Sequence, residues 1–261
     1  MTGVQTCALP ICWDLYARGS SIEAVTLKNC VAFENGHNLD GSIRGNGNGF
    51  KLGGENMSAG HTIVNSVAFN NDANGITCNS CPDIKVINCT SFNNNSCNYI
   101  TYSNATNTDF VVSGSISFRD SRSTYNDPDS LRGNGTQDMA AINQPTNYFW
   151  DGSKSVNTEG VEITADMFES LEFKGFARKA DGSVDLGDFL KLTDKAPADA
   201  GAREGGDADY PNPIPDNNDN PSPSTPENDN PPTGVNAGFV VAMIGLAGAA
   251  VLTFCIKRRR A

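Results

Sequence analysis

One phrase recurs four times in this chain: Asn29-Cys30-Val31-Ala32-Phe33, Asn65-Ser66-Val67-Ala68-Phe69, Asn88-Cys89-Thr90-Ser91-Phe92 and, more weakly, Gly114-Ser115-Ile116-Ser117-Phe118. Its phenylalanines lie 36, 23 and 26 residues apart, and an offset series through Phe50, Ile76 and Ile100 has spacings of 26 and 24. Each period therefore holds at least two short strands separated by Asn/Gly corners. The wide first interval is filled by a polar, glycine-rich loop from Gly36 to Gly47.

Short β-branched runs at such a period predict an all-β parallel β-helix, a solenoid in which each coil buries a shared core against its neighbours. A leucine-rich repeat has a similar length but needs a leucine ladder that is absent here. In the predicted solenoid Cys30, Ser66, Cys89 and Ser115 form one inward or edge-facing column. Asn29, Asn65 and Asn88 form another, with amides hydrogen-bonded from coil to coil. Asn126-Asp127-Pro128-Asp129 reads as a turn, and Thr164 as the cap of a short helix where the coils are closed off.

Within the repeat, Gly45-Asn46-Gly47-Asn48-Gly49-Phe50-Lys51-Leu52-Gly53-Gly54 holds one lysine on a short apolar strand between glycine-rich turns. A lysine so placed is a candidate base, and glycine turns allow a polymer to approach the backbone closely. The chain has no Walker loop, Rossmann fingerprint, Ser/His/Asp set in motif context or basic stripe suited to nucleic acid.

Several of these motifs occur together in a known order. Trp13-Asp14-Leu15-Tyr16, Asn29 through Gly36, Gly47 through Gly54, His61 and Gly75-Ile76-Thr77-Cys78-Asn79 resemble the family 9 pectate lyases and related right-handed parallel β-helix proteins. A later stretch, from Phe176 through Leu192 to Gly201-Ala202, looks like that family's closing segment, so the resemblance covers roughly residues 12–202. It implies a polysaccharide lyase that cleaves polygalacturonate or a related uronate polymer by β-elimination. Removing the C5 proton leaves charge on the adjacent carboxylate, so the chemistry needs a base and a cation. The resemblance assigns the base to Lys51 and the cation to Ca2+. A lysine amine takes a proton only when neutral, a form that burial and a neighbouring cation favour.

The resemblance maps one calcium ligand onto Asp14. Its carboxylate partners are expected just upstream, where residues 1–11 have none. That segment resembles a translated sequencing-library adapter and is expected to be an artefact, leaving a domain truncated at its N-terminus, without its signal peptide, first coils and most of its calcium site. The enzyme reading stands for such a chain, although truncation there could leave it inactive. Asp40 and Asp72 read as turn residues. Arg44 and Arg18 are candidates to hold a uronate carboxylate, because a guanidinium binds one through two parallel hydrogen bonds.

The cysteines do not suggest a disulfide framework, and the single C-x-x-C at Cys78 and Cys81 is a weak metal or redox signal. His37 and His61 form no ligand cluster, and His61 reads as structural or at a cleft edge. Past residue 202 the composition changes. Residues 203–232 are a Pro/Asn/Asp-rich linker expected to be disordered, and it carries much of the acidity behind the net charge of −11. An apolar run over about 237–256 is long enough for one transmembrane helix, with a Lys257-Arg258-Arg259-Arg260 tail expected on the cytoplasmic side. With Asn230-Pro231-Pro232-Thr233-Gly234 before it, residues 230–261 resemble a Gram-positive sortase sorting signal cleaved between Thr233 and Gly234. This reading implies sortase and peptidoglycan as partners and an extracellular domain anchored to membrane or wall. A plain single-span anchor is the alternative. The rival functional reading is a non-catalytic surface β-helix that binds glycans or mediates adhesion.

Overall fold

The computed structural model describes residues 4–5, 13–16, 19, 22–38, 42, 45–106, 108–133 and 140–204. Among them are three parallel sheets that run the length of a right-handed β-helix. The first consists of β4 (Val31–Phe33), β7 (Val67–Phe69), β10 (Thr90–Phe92) and β13 (Ile116–Phe118), with β1 (Val4–Gln5) beside β4. The second consists of β2 (Trp13–Asp14), β5 (Phe50–Lys51), β8 (Ile76–Thr77), β11 (Tyr99–Thr101) and β14 (Ser130–Leu131). The third, β3 (Thr26–Lys28), β6 (Thr62–Val64), β9 (Lys85–Ile87) and β12 (Val111–Ser113), is a strand series that the sequence pattern merges with the phenylalanine phrase.

The merger has a local cause. Asn29, Asn65 and Asn88 have φ of 54°, 46° and 49°, and Gly114 takes the same corner at 58°, so one left-handed residue turns the chain between the third sheet and the first. Asparagine and glycine tolerate that conformation best, which explains why the weakest copy of the phrase begins with glycine. The expected amide column is present in part. Asn65 Nδ2 donates to Asn29 Oδ1 at 2.6 Å, but Asn88 Oδ1 is buried without a hydrogen-bond partner. A Cβ on Gly114 would lie 2.0 Å from that oxygen, so the next coil passes too close for a side chain there.

A longer amide ladder runs through the asparagines two residues after Phe33, Phe69 and Phe92 and ends on Asn98. Asn71 Nδ2 donates to Asn94 Oδ1 at 2.7 Å, Asn94 Nδ2 to Asn98 Oδ1 at 2.8 Å, and Asn35 Nδ2 to Asn71 Oδ1; all four residues are fully buried. These side chains bond one another and the corner backbone, as buried amides tend to, except Asn35 Oδ1 at the end of the ladder, which is buried without a hydrogen-bond partner.

Cys30, Ser66, Cys89 and Ser115 are fully buried, and Ser66 Oγ accepts from the Cys30 N–H at 3.1 Å. Ala32 and Ala68 point into the lumen with Phe50, Leu52, Ile63 and Ile76. The phenylalanines point the other way. Phe33 stacks on Phe69 with centroids 4.9 Å apart, and Phe92 on Phe118 at 6.2 Å. Phe173 meets the first pair edge-on at 5.1 and 4.8 Å, while Phe189 spans Phe69 and Phe92 at 4.7 and 5.9 Å. The closing segment therefore covers the outer face of the first sheet, burying a second hydrophobic cluster where each phenylalanine contributes about 2 kcal/mol. It ends where Arg203 exchanges hydrogen bonds with the Asn65 amide, through Arg203 N to Asn65 Oδ1 at 2.7 Å and Asn65 Nδ2 to Arg203 O at 2.8 Å.

At the C-terminal end, Tyr148 pairs with Ile116, and an antiparallel set of β15 (Phe149–Trp150), β16 (Ser155–Val156) and β17 (Glu162–Ile163) closes the exposed edge. A hairpin of β18 (Ala177–Arg178) and β19 (Val184–Asp185) lies in the closing segment. The short helix expected after Thr164 is a single 3-10 turn, Ala165–Met167, and Thr164 does not cap it through its side chain; its hydroxyl donates instead to Asp166 Oδ1 at 2.5 Å. Among the described residues no helix is long and apolar enough to cross a membrane. The linker beyond residue 204, the apolar run over 237–256 and the Thr233–Gly234 signal lie outside the described residues.

Candidate active site

Lys51 lies in the second sheet with its backbone in register with Asp14 on one side and Thr77 on the other. Side chains alternate across a strand. Trp13, Phe50, Ile76 and Tyr99 point into the lumen, so Asp14, Lys51 and Thr77 face outward together. Trp13 fixes this register by stacking on Phe50 at 6.2 Å and donating its indole N–H to Val31 O at 3.4 Å.

Although it faces outward, Lys51 is only 8% exposed. Its Nζ lies 3.3 Å from Asp14 Oδ2 and 5.0 Å from the centre of the Tyr16 ring, whose hydroxyl donates to Glu55 Oε1 at 2.6 Å. Thr77 is locked as well, its Oγ1 accepting the Asn79 N–H at 3.0 Å. The result is one amine held against one carboxylate and roofed by an aromatic ring. A group so positioned is suited to proton transfer with a substrate laid along the sheet.

Gly49 and Gly53, on either side of Lys51, are required by the fold. A Cβ on Gly49 would sit 2.6 Å from Gly75 O, and one on Gly53, at φ 136°, would sit 2.3 Å from Cys81 Cβ. The neighbouring coil already occupies the space that glycine leaves.

Asp14, expected as a calcium ligand, lies against the Lys51 amine. Arg18, Arg44 and Asp40 lie outside the described residues, and Asp72 is a corner residue accepting from Asn95 Nδ2 at 3.2 Å. Among the described residues no group of three or more histidine, cysteine or acidic side chains could hold a metal ion. Asp14 is itself engaged by Lys51, and Glu55 by Tyr16, so the described residues do not by themselves fit a calcium ion, which takes six to eight oxygen ligands.

Cys30, Cys78, Cys81, Cys89 and Cys97 are buried free thiols. Burial pushes Cys78 up to about 11 and Cys81 up to about 12, so the C-x-x-C packs as apolar bulk and as hydrogen-bonding sulfur beside Tyr102 and Asp83. His61 is structural: 2% exposed, it accepts the Val25 N–H on Nδ1 at 3.1 Å. Burial lowers its pKa, with the Asp83 charge opposing more weakly. The unfolded chain thus binds the proton more readily, so this contribution to stability is full above about pH 6.5 and is lost as pH falls through the folded value. His61→Asn keeps an acceptor near Nδ1 and removes the titration. Thermal melts are expected to show a steeper loss of stability below that pH for the wild type than for the variant; parallel slopes would contradict this role.

Sequence reasoning missed Tyr16, Glu55 and Thr77 as parts of the site. Tyr16 and Thr77 were inside quoted motifs, but only the strand register shows that they share a face with Lys51.

Residues 12–148 match the family model described as the Pel9A-like, right-handed beta helix region. Pectate lyase L of Thermoclostridium stercorarium is 41% identical over 160 residues, which is 60% of this chain and 12% of that protein. Pectate lyase L of Paenibacillus polymyxa (strain SC2) is 37% identical over 186 residues, 69% of this chain and 37% of that protein. The chain thus spans well under half the length of either relative. Among solved structures, the crystal structure of pectate lyase Pel9A aligns with a TM-score of 0.51 at 27% identity, over 71% of this chain and 41% of that one. A rhamnogalacturonan lyase aligns at 0.55 with 22% identity, over 74% of this chain and 47% of that one, a likeness of fold. With its matched region covering just over half of its length, the chain belongs to the Pel9A-like right-handed β-helix family.

Proposed function

We propose that this protein is a polysaccharide lyase that cleaves polygalacturonate, or a related uronate polymer, by β-elimination with Lys51 as the base. The observation that carries the reading is the outward-facing yet nearly buried Lys51 amine, 3.3 Å from Asp14 on the open face of a continuous sheet. The relatives named pectate lyase support the choice of substrate class.

In this reading the neutral Lys51 amine takes the C5 proton. The electron pair left behind forms the C4–C5 double bond, the C4–O bond breaks, and the departing oxygen is protonated by solvent. Asp14 accepts a hydrogen bond from Lys51 Nζ and the centre of the Tyr16 ring lies 5.0 Å from it, so both hold the amine in place on the open face. Calcium enters the proposal through the family resemblance, as a charge that would neutralise the uronate carboxylate, with Asp14 as its one candidate ligand among the described residues.

Ultraviolet absorbance tests the reading. An unsaturated uronate product is expected to accumulate from polygalacturonate and not from neutral galactan. Binding without cleavage by the folded protein would assign the rival role of a glycan-binding or adhesive surface β-helix.

The proposal extends to location. The linker, the span over 237–256 and the Thr233–Gly234 signal would hold the domain on the outer face of a Gram-positive cell, in membrane or wall. Envelope fractionation tests this, and recovery of the protein in the cytoplasm would refute it.

A further inference from the structure

Beyond Lys51, the same face has a second ordered feature. Register in the second sheet aligns Asp14, Lys51, Thr77, Ile100 and Ser130 across five coils. Two residues further along each coil come Tyr16, Gly53, Asn79, Tyr102 and Arg132, a second line at the strand ends. The backbone pairing continues past the strands, with Leu15 N bonded to Lys51 O, Leu52 N to Thr77 O, Cys78 N to Ile100 O and Arg132 N to Thr101 O.

Tyr16 and Tyr102 are 46% and 38% exposed, two of the four exposed large hydrophobic side chains among the described residues. They bracket the coil of Lys51, Tyr16 one coil to one side and Tyr102 two coils to the other. Between them the surface is low. Gly53 has no side chain, and Asn79 is tied down, its Nδ2 donating to Gly53 O at 2.6 Å and its Oδ1 accepting the Tyr102 hydroxyl at 3.4 Å. Arg132 is exposed one coil past Tyr102.

The spacing fits a sugar chain. Adjacent coils are separated by about 4.8 Å, close to the length of one pyranose unit in an extended polymer. Tyr102 thus lies about 10 Å from the coil of Lys51, and Arg132 about 14 Å. An exposed aromatic ring offers a flat apolar surface to the C–H face of a pyranose, and a guanidinium pairs with a carboxylate.

We propose that Tyr102 and Arg132 form a subsite for the uronate chain two to three sugar units from the position at Lys51, with Tyr102 stacking on a ring face and Arg132 pairing with a carboxylate. This rests on the reading of the Lys51 face as a uronate-binding surface. It names residues that set the length and acidity of the bound chain without touching the reacting atoms.

The test is calorimetric binding of di- and hexagalacturonate to the full chain carrying Lys51→Ala, so that no ligand is consumed. Adding Tyr102→Ala or Arg132→Ala is expected to weaken hexamer binding about tenfold, the scale of one lost stacking or ionic contact. Dimer binding should be unchanged. Tyr102→Phe should retain hexamer affinity, which separates stacking from loss of the hydroxyl bond to Asn79. Equal losses for dimer and hexamer, no loss for either, or no binding of any uronate oligomer would overturn the subsite. Failure of the wild type to cleave, with these length-dependent losses intact, would instead count against Lys51 as base and leave the subsite standing.

Discussion

Lys51→Ala is expected to lower turnover of polygalacturonate roughly 10³-fold, within the range contributed by a positioned general base. KM should change little, because the amine acts on the reacting atoms and the polymer is held along many coils. Lys51→Arg is the sharper variant. A guanidinium keeps the charge and can still pair with Asp14 at its present 3.3 Å position, but it does not lose a proton in a protein and so cannot serve as the base. Both variants should fold, since the lumen side of that strand is filled by Phe50 rather than Lys51. Kinetics on protein whose circular dichroism matches the wild type would check this. Retention of more than a tenth of the activity by Lys51→Arg would remove the lysine from its role.

The largest expected loss of stability comes from Asn94→Leu. Asn94 is fully buried and anchors the centre of the amide ladder. Its Oδ1 accepts from Asn71 N at 3.1 Å and Asn71 Nδ2 at 2.7 Å, and its Nδ2 donates to Asn98 Oδ1 at 2.8 Å and Ser91 Oγ at 3.0 Å. Leucine has the same branched skeleton with bulkier ends and satisfies none of these groups. Each buried polar atom left unpaired costs about 1–3 kcal/mol, so a loss of roughly 3–5 kcal/mol is expected after partial rearrangement. Urea titration reads this as a lower midpoint with an unchanged slope. A shift below about 1 kcal/mol would mean that water or a neighbour replaces the amide, and that the ladder does not hold the coils together.

The solenoid was legible because its period is written in the sequence: the same small-to-phenylalanine phrase fills β4, β7, β10 and β13 of the first sheet. The direction of the phenylalanines was not. Ala32 and Phe33 are adjacent and both apolar, so alternation alone does not say which one faces the lumen; the answer comes from Phe173 and Phe189, more than fifty residues further along the chain. The column Asn35, Asn71 and Asn94 is visible as an asparagine two places after three of the four phenylalanines. The repeated phrase itself begins on Asn29, Asn65 and Asn88, whose main demand is a positive φ. At the site, Lys51 and Asp14 were found from motif resemblance, and the register brought them together. Arg132 and Tyr102 carry no motif, and only coil-to-coil register puts them in line with Lys51.

Cleavage of polygalacturonate in heavy-oxygen water tests the central claim most directly. Elimination breaks the C4–O bond without adding water, so mass spectrometry should find oligomers with an unsaturated end, no heavy oxygen incorporated at the cleavage point, and no product from Lys51→Ala. Oligomers carrying solvent oxygen would mean hydrolysis. Intact polymer after incubation with folded wild-type protein would likewise contradict a Lys51-dependent lyase.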